Sequence, residues 1–278
     1  MAGYRVLDIE TVVDDRFWTR PPAKWSQRPV DGAYLMTPGG DQIHRDHSSL
    51  FEISSEWVKE DPFPPPQAHR VVAISWVDLS GDDNEWYKLL SGETLCRWSH
   101  DVAEADHIET HLLTTFGEAQ EKDLATLVTW NGRVFDLPVI NLRSFRHGLP
   151  CPWYYGERDV RYRYSEAGHC DLMDVFSDHG AARHMKLGDV ARLVGLPGKV
   201  GPVSGASIGQ IYAGGDDQDA MNDVAKYCLS DSLQTAYLFA CSRVHKGMIS
   251  REYFDAVVKP SFFTALFENM NVKPESLR

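Results

Sequence analysis

The sequence predicts an α/β fold with a mixed central sheet flanked by helices. Three observations predict it: an apolar run at residues 4–9, a Val- and Ile-rich run at 70–79, and a helix-period segment at 103–121 that leads straight into another apolar run at 124–130. Short apolar runs bounded by turn residues have the pattern of buried strands, and strands alternating with helices fold into layered sheets.

The first strand covers Tyr4 to Ile9, interrupted only by Arg5 and Asp8. The stretch from about 14 to 69 carries Pro21-Pro22 and Pro64-Pro65-Pro66 with little periodicity and reads as an insertion. Its Trp18, Trp25, Tyr34, Phe51 and Trp57 argue against full disorder, because so many aromatics find a surface to pack on. The second strand, Arg70 to Leu79, ends at Ser80-Gly81-Asp82-Asp83, and a short third is expected at Glu85 to Leu90. Ile108, Leu112, Leu113 and Phe116 give the 103–121 helix one apolar face. Beyond the 124–130 strand the chain reads as helical at about 137–147, 171–180, 186–194, 206–213 and 219–245.

A chain of 278 residues with 43% hydrophobic content is long enough to bury one large core. Its formal charge of -12 argues against a broad basic surface for nucleic acid, yet it suits an enzyme that gathers carboxylates around divalent cations. The five cysteines include no Cys-x-x-Cys pair, so neither a disulfide framework nor a zinc knuckle is indicated, and a reducing, cytoplasmic setting is expected. No run of 18 apolar residues occurs, so neither a signal peptide nor a membrane span is expected.

Asp8 and Glu10 lie two apart on a strand and so share a face. Two like charges on a buried sheet face are costly unless a divalent cation with oxygen ligands lies between them. Asp136 follows the turn Asn131-Gly132 at the exit of a strand, where it could equally be a plain helix cap. Tyr227 and Asp231 lie four apart on the long helix, so phenol and carboxylate project together. Each pair alone is weak, since Tyr4 with Asp8 and Asp83 with Glu85 repeat the same spacings.

The ordered set is more specific than its parts. Asp-x-Glu in the first strand, Asn-Gly-x-x-Phe-Asp-x-Pro after an internal strand and Tyr-x-x-x-Asp on a late helix resemble the three exonuclease motifs of the DnaQ-like, or DEDD, superfamily in its tyrosine-bearing branch. Trp130 to Pro138, His169-x-Asp171-Leu172, Gly195 to Lys199 and Tyr227-Cys228 look like the predicted 3′-5′ exonucleases related to the proofreading domain of family B polymerases. The resemblance covers about residues 4–13 and 68–245; it implies an exonuclease domain at 1–245 and leaves 246–278 as an extension of unknown role.

It further implies a ribonuclease-H-like fold and two ions, Mg²⁺ or Mn²⁺. Asp8 would bridge both, Glu10 and Asp231 would complete the first site, Asp136 would hold the second, and Tyr227 would orient the attacking water. The implied substrate is the 3′ end of single-stranded DNA or RNA, with no membrane role and with any polymerase or repair partner unknown. Trp130, Asn131 and Phe135 are candidates to hold the terminal nucleotide, and Lys199 to reach a phosphate. Four clustered carboxylates should raise one another's pKa values, so metal should stabilise the fold. A catalytically silent nucleic-acid-binding protein and a two-metal phosphoesterase for small nucleotides are the alternatives.

Three further signals have bland readings. Asp171 reads as a helix cap beside a satisfied core His169, and His107 with His111 as a solvated helix face. Gly195 to Lys199 is a turn, since Leu193 and Val200 occupy positions where a phosphate loop needs Gly and Ser or Thr. Trp153 to Tyr164 interleaves aromatics with arginines, which suits single-stranded nucleic acid as well as it suits an amphipathic hairpin covering the domain.

Overall fold

The computed structural model describes residues 2–21, 24–29, 55–60, 63–82, 84–156, 159–199 and 201–277, with main chain alone for 2, 24–29, 55–60 and 274. Its strands are β1 (Ala2–Val13), β2 (Lys24–Pro29), β3 (Ser55–Glu60), β4 (His69–Ser80), β5 (Leu89–Cys96), β6 (Thr126–Thr129) and β7 (His169–Asp171). Its helices are α1 (Val102–Asp123), α2 (Asp136–Arg146), α3 (Pro152–Tyr155), α4 (Leu172–Phe176), α5 (Leu187–Leu193), α6 (Gly205–Ala213), α7 (Gln218–His245), α8 (Arg251–Tyr253) and α9 (Lys259–Met270), the last two joined by a π-helical turn (Phe254–Val258). Five strands form one sheet in the order β5-β4-β1-β6-β7, while β2 and β3 pair with each other alone. The sheet is mixed: β1 is antiparallel to β4 and parallel to β6.

Alternation along β1 sorts the two faces. Leu7 and Ile9 enter a core with Ile108, Leu112 and Phe116 of α1 and Leu137 and Ile140 of α2. Val6 and Val12 point the other way, Val6 toward Leu233 and Tyr237 of α7 and Val12 toward Ile208 of α6 and Val224 of α7. β4 is buried along its whole length, as a strand covered on both faces must be. Helix ends obey local chemistry: Asp101 accepts from the Glu104 amide at 2.9 Å to start α1, and Asp217 accepts from the Asp219 amide at 3.0 Å to start α7. Arg5 is buried and neutralised by Asp78 at 2.7 Å and Asp123 at 2.9 Å.

The mixed sheet with flanking helices is the architecture expected, but several elements differ. The third strand lies at 89–96 rather than 85–90, because Trp86 and Tyr87 belong to the preceding turn, with Tyr87 at φ 63, and their rings pack on Tyr4. The expected 171–180 helix divides into β7, five residues of α4 and a 3-10 turn in which His179 is left-handed. Leu124 caps α1 instead of opening a strand. The 14–69 segment contains the β2–β3 hairpin; Tyr34 and Phe51 lie outside the described residues, as do the side chains of Trp25 and Trp57. At its base the Asp14 amide donates to the Ala68 carbonyl at 2.7 Å, next to the last β1–β4 pair, Val13 with His69.

After α7 the chain turns back and fills the same core. Phe254, Val258, Phe262, Leu266 and Leu277 join Val6 and Tyr237 in one buried cluster. Gly195 must lack a side chain there: its φ is +87, and a Cβ would lie 1.8 Å from the Ser276 carbonyl. Among the described residues no helix is long and apolar enough to cross a membrane.

Candidate active site

The site is built where α7 crosses the middle of β1. Asp8 and Glu10 leave β1 on the α7 side, and their partners on β4 are Ser75 and Ala73, two small residues that leave room for carboxylates. Asp231 comes down from α7 so that one carboxylate oxygen from each of Asp8, Glu10 and Asp231 lies within 4.8 Å of the others. One helical turn earlier, Tyr227 directs its phenol at Asp231. Cys228, on the same turn, is buried and donates its thiol to the Asp8 carbonyl at 3.5 Å.

Asp136 arrives from the opposite side of β1. It opens α2 without capping it: the cap position is Phe135, which makes no side-chain cap bond, and Asp136 Oδ1 instead accepts the Ile9 amide at 3.2 Å. That bond ties the second motif to the first between the two carboxylates of β1. The preceding turn is fixed by Asp171, which accepts the amides of Asn131 and Arg133 at 2.9 and 3.0 Å while also capping α4. Asn131 has a left-handed φ of 66, and Gly132 admits no side chain, since a Cβ would meet Thr129 at 2.5 Å. The bland reading of Asp171 as a cap is thus observed, with an added duty toward the Asn131 turn that the sequence did not reveal. His169 is buried against the Thr129 hydroxyl at 2.8 Å, and burial holds its imidazole neutral, well below the ordinary value.

Electrostatics set this cluster apart. Asp8 is pushed well above the usual carboxylate range, first by burial and then by Glu10, Asp231 and Asp136. Glu10 rises for the same reasons, burial first, then Asp231 and Asp136. Burial carries Asp136 to about 7 against the pull of its own and Ile9's amides. It carries Asp231 to about 6 against the Tyr227 hydroxyl. Tyr227 is itself raised by burial and by the carboxylates, so its proton stays on. Among the described residues no Lys or Arg pairs with any of the four carboxylates, and Asp8 Oδ2 is buried without a hydrogen-bond partner. An all-oxygen donor set with an orphaned lone pair fits a hard divalent cation.

The remaining anticipated residues fall in different places. Phe135 lines a cleft of about 360 Å³ together with Glu10, Phe63 and His69. His69 and Phe63, at ring distances of 4.9 and 5.8 Å from Phe135, went unnoticed in the sequence because nothing local links them to the motifs. Trp130 packs on Phe176 at 6.2 Å, and Lys199 is exposed on the turn after α5. His107 and His111 are exposed on α1.

A family model described as "Predicted 3'-5' exonuclease related to the exonuclease domain of PolB" matches residues 61–270. No curated protein matches the sequence. Among solved structures, the family B DNA polymerase from the hyperthermophilic archaeon Pyrobaculum calidifontis superposes with a TM-score of 0.51 at 14% identity, over 88% of this chain and 25% of the polymerase. E. coli Exonuclease I in complex with a dT13 oligonucleotide gives a TM-score of 0.41 at 10% identity, over 95% of this chain and 46% of that one. The chain therefore spans about a quarter of the polymerase and less than half of Exonuclease I. The polymerase likeness shows a shared ribonuclease-H-like α/β fold, and the family match takes in most of the chain, including Asp136, Tyr227 and Asp231. The chain belongs to the family of predicted 3′-5′ exonucleases related to the exonuclease domain of PolB.

Proposed function

We propose that the chain is a metal-dependent 3′-5′ exonuclease that removes nucleotides from single-stranded DNA or RNA ends. The observation that carries this reading is the unpaired carboxylate cluster of Asp8, Glu10 and Asp231, with a buried Asp8 oxygen that has no protein partner. Asp8 and Asp136 would hold one divalent cation, and Asp8, Glu10 and Asp231 another, Mg²⁺ or Mn²⁺ by their preference for oxygen ligands. Such ions lower the pKa of an attacking water and offset charge on the departing 3′ oxygen.

The chain's own groups do the rest. Tyr227, whose phenol keeps its proton, donates a hydrogen bond that orients the water rather than abstracting from it. Phe135, in the cleft beside Glu10, takes the terminal base, and Asn131 and Trp130 sit on the turn that carries it. Lys199 contributes a cation toward the phosphate backbone. Cys228 holds the Asp8 main chain, and so the carboxylate it carries, in register with α7. Residues 1–245 form the exonuclease domain, and 246–278 serve as a cover for its α7 face.

The test is a time course on 5′-labelled single-stranded DNA and RNA of matched sequence with Mg²⁺, Mn²⁺ or chelator, beside Asp8→Ala. A metal-dependent ladder shortening from the 3′ end, absent in Asp8→Ala, is expected and reads out the sugar preference. Intact polymers with retained binding would overturn the enzyme and leave a binding module.

A further inference from the structure

The helix that delivers Asp136 has an outer face that is open to solvent among the described residues. Pro138, Leu142 and Phe145 of α2 are three and four apart and form one stripe. Phe145 is 83% exposed, and Leu142 is exposed beside it. A groove of about 320 Å³ then carries the stripe to Tyr155 at the end of α3. Tyr155 is 56% exposed, and its ring centroid lies 5.0 Å from the guanidinium of Arg161. Single exposed apolar residues need no explanation, but a contiguous run along one helix marks a binding surface.

Charge selects the occupant. Arg146, at the end of the same helix, is taken up by Asp106 at 2.7 Å, and Arg163 by Asp174 at 2.7 Å. Arg161 has no carboxylate partner among the described residues. In a chain of net charge -12, a guanidinium with no carboxylate partner among the described residues, lying on an open tyrosine next to an open phenylalanine, suits a ligand that carries both planar rings and negative charge. Single-stranded nucleic acid is such a ligand. At about 1.5 Å per residue, Phe145 lies about 14 Å along α2 from Asp136, on the order of four stacked nucleotides at about 3.4 Å each, and on the opposite side of the helix, so a strand reaching it from the site passes over the flank of α2.

We propose that Phe145, Tyr155 and Arg161 form a stacking track for the strand on the 5′ side of the bond being cut. The proposal rests on the exonuclease reading of the carboxylate site. Bases stack on Phe145 and Tyr155, Arg161 meets a backbone phosphate, and the track makes affinity depend on strand length.

The experiment compares a trimer and a twelve-residue oligothymidylate, each 5′-fluorescein-labelled, as substrates and by anisotropy in chelator. Wild type is set beside Phe145→Ser/Tyr155→Ser and Arg161→Gln, all with melting curves. We expect the double variant to raise KM for the long strand about 10-fold or more, with kcat and trimer turnover unchanged and a normal melting temperature. Arg161→Gln should raise it less and flatten its salt dependence. An unchanged KM for the long strand, or equal losses on both lengths, overturns the track. Dimers in light scattering that become monomers in the double variant, with KM unmoved, assign the stripe to a second copy of the chain and also overturn it. If wild type cuts neither strand, the exonuclease reading fails by itself; binding of the long strand that the double variant loses would still uphold the track.

Discussion

Two groups of buried and half-buried carboxylates in this molecule make a natural experiment. Asp8, Glu10 and Asp231 cluster under α7; Asp14, Asp106 and Glu109 cluster where the end of β1 meets α1 and α2. The second group is threaded with cations. Arg143, fully buried, donates to Glu109 at 2.7 Å, to Asp14 at 3.0 Å and to the Gln67 carbonyl at 3.1 Å, and Arg70, Arg16 and Arg146 reach Asp106. Burial pushes Asp14 and Glu109 up, but hydrogen bonds from Arg16 and Arg143 to the first, and from His147 and Arg143 to the second, hold both below the ordinary range. Arg16 does the same for Asp106. Similar residues at similar depth thus shift in opposite directions, and the sign records whether the protein brings its own counter-charge. The paired group is neutralised from within; the unpaired group is one that a cation from outside could neutralise.

The sharpest way to break this comparison is Asp8→Asn. Nuclease activity should fall by about 10³-fold or more, while the melting temperature in chelator stays level or rises, because a repelled carboxylate has gone. Activity within tenfold of wild type, or a large loss of stability, would merge the two groups. Arg143→Met should do the reverse. Leaving Glu109 and Asp14 buried without their guanidinium should cost about 3–5 kcal/mol in urea unfolding, with no change in the metal-induced rise of the melting temperature. A cost below about 1 kcal/mol would mean that the network is ornamental.

Titration should separate the groups next. Asp231 and Asp136 are raised to about 6 and about 7, above their unfolded values near 3.9, so the folded state holds protons that the unfolded state has lost. Stability in chelator should therefore fall as pH rises from about 4 toward 7, by about 1.4 kcal/mol for each unit of raised pKa once the group ionises. The paired group, with depressed values, contributes stability above about pH 4 that disappears on further acidification. Melting curves across pH 4 to 8 should flatten on the alkaline side when Mn²⁺ is added; an unaltered slope would argue that the carboxylates never meet a cation. The smallest effect belongs to Tyr227→Phe, which should lower kcat by about 10–100-fold and leave the metal-induced stabilisation intact. Loss of that stabilisation would make Tyr227 part of the metal site's scaffold instead.

Only one of these groups was legible in the sequence. Asp8, Glu10, Asp136, Tyr227 and Asp231 stand out because their types, order and spacing resemble the three exonuclease motifs. The arginine network has no local signature, since Arg143 meets Asp14 across a separation of 129 residues. Its contacts depend on how α2 settles against α1, which periodicity does not encode. The sheet was legible for a related reason: β4 is buried on both faces and reads as one apolar run, whereas edge strand β5, with Ser91, Gly92, Glu93 and Thr94, carries too little apolar signal. The fold of 246–278 was hidden because its apolar residues make sense only against α7.

The hydrogen bond between Asp14 and Ala68 gives the 14–69 segment the character of a detachable module. It closes the β1–β4 hairpin at its neck, and Arg143 reinforces that neck through Asp14 and the Gln67 carbonyl. Loop-closure entropy grows only with the logarithm of length, by about 0.6 kcal/mol for each doubling. The length of chain between the neck and Phe63 can therefore vary at little thermodynamic cost, so long as Phe63 keeps its place in the cleft beside Phe135 and Glu10.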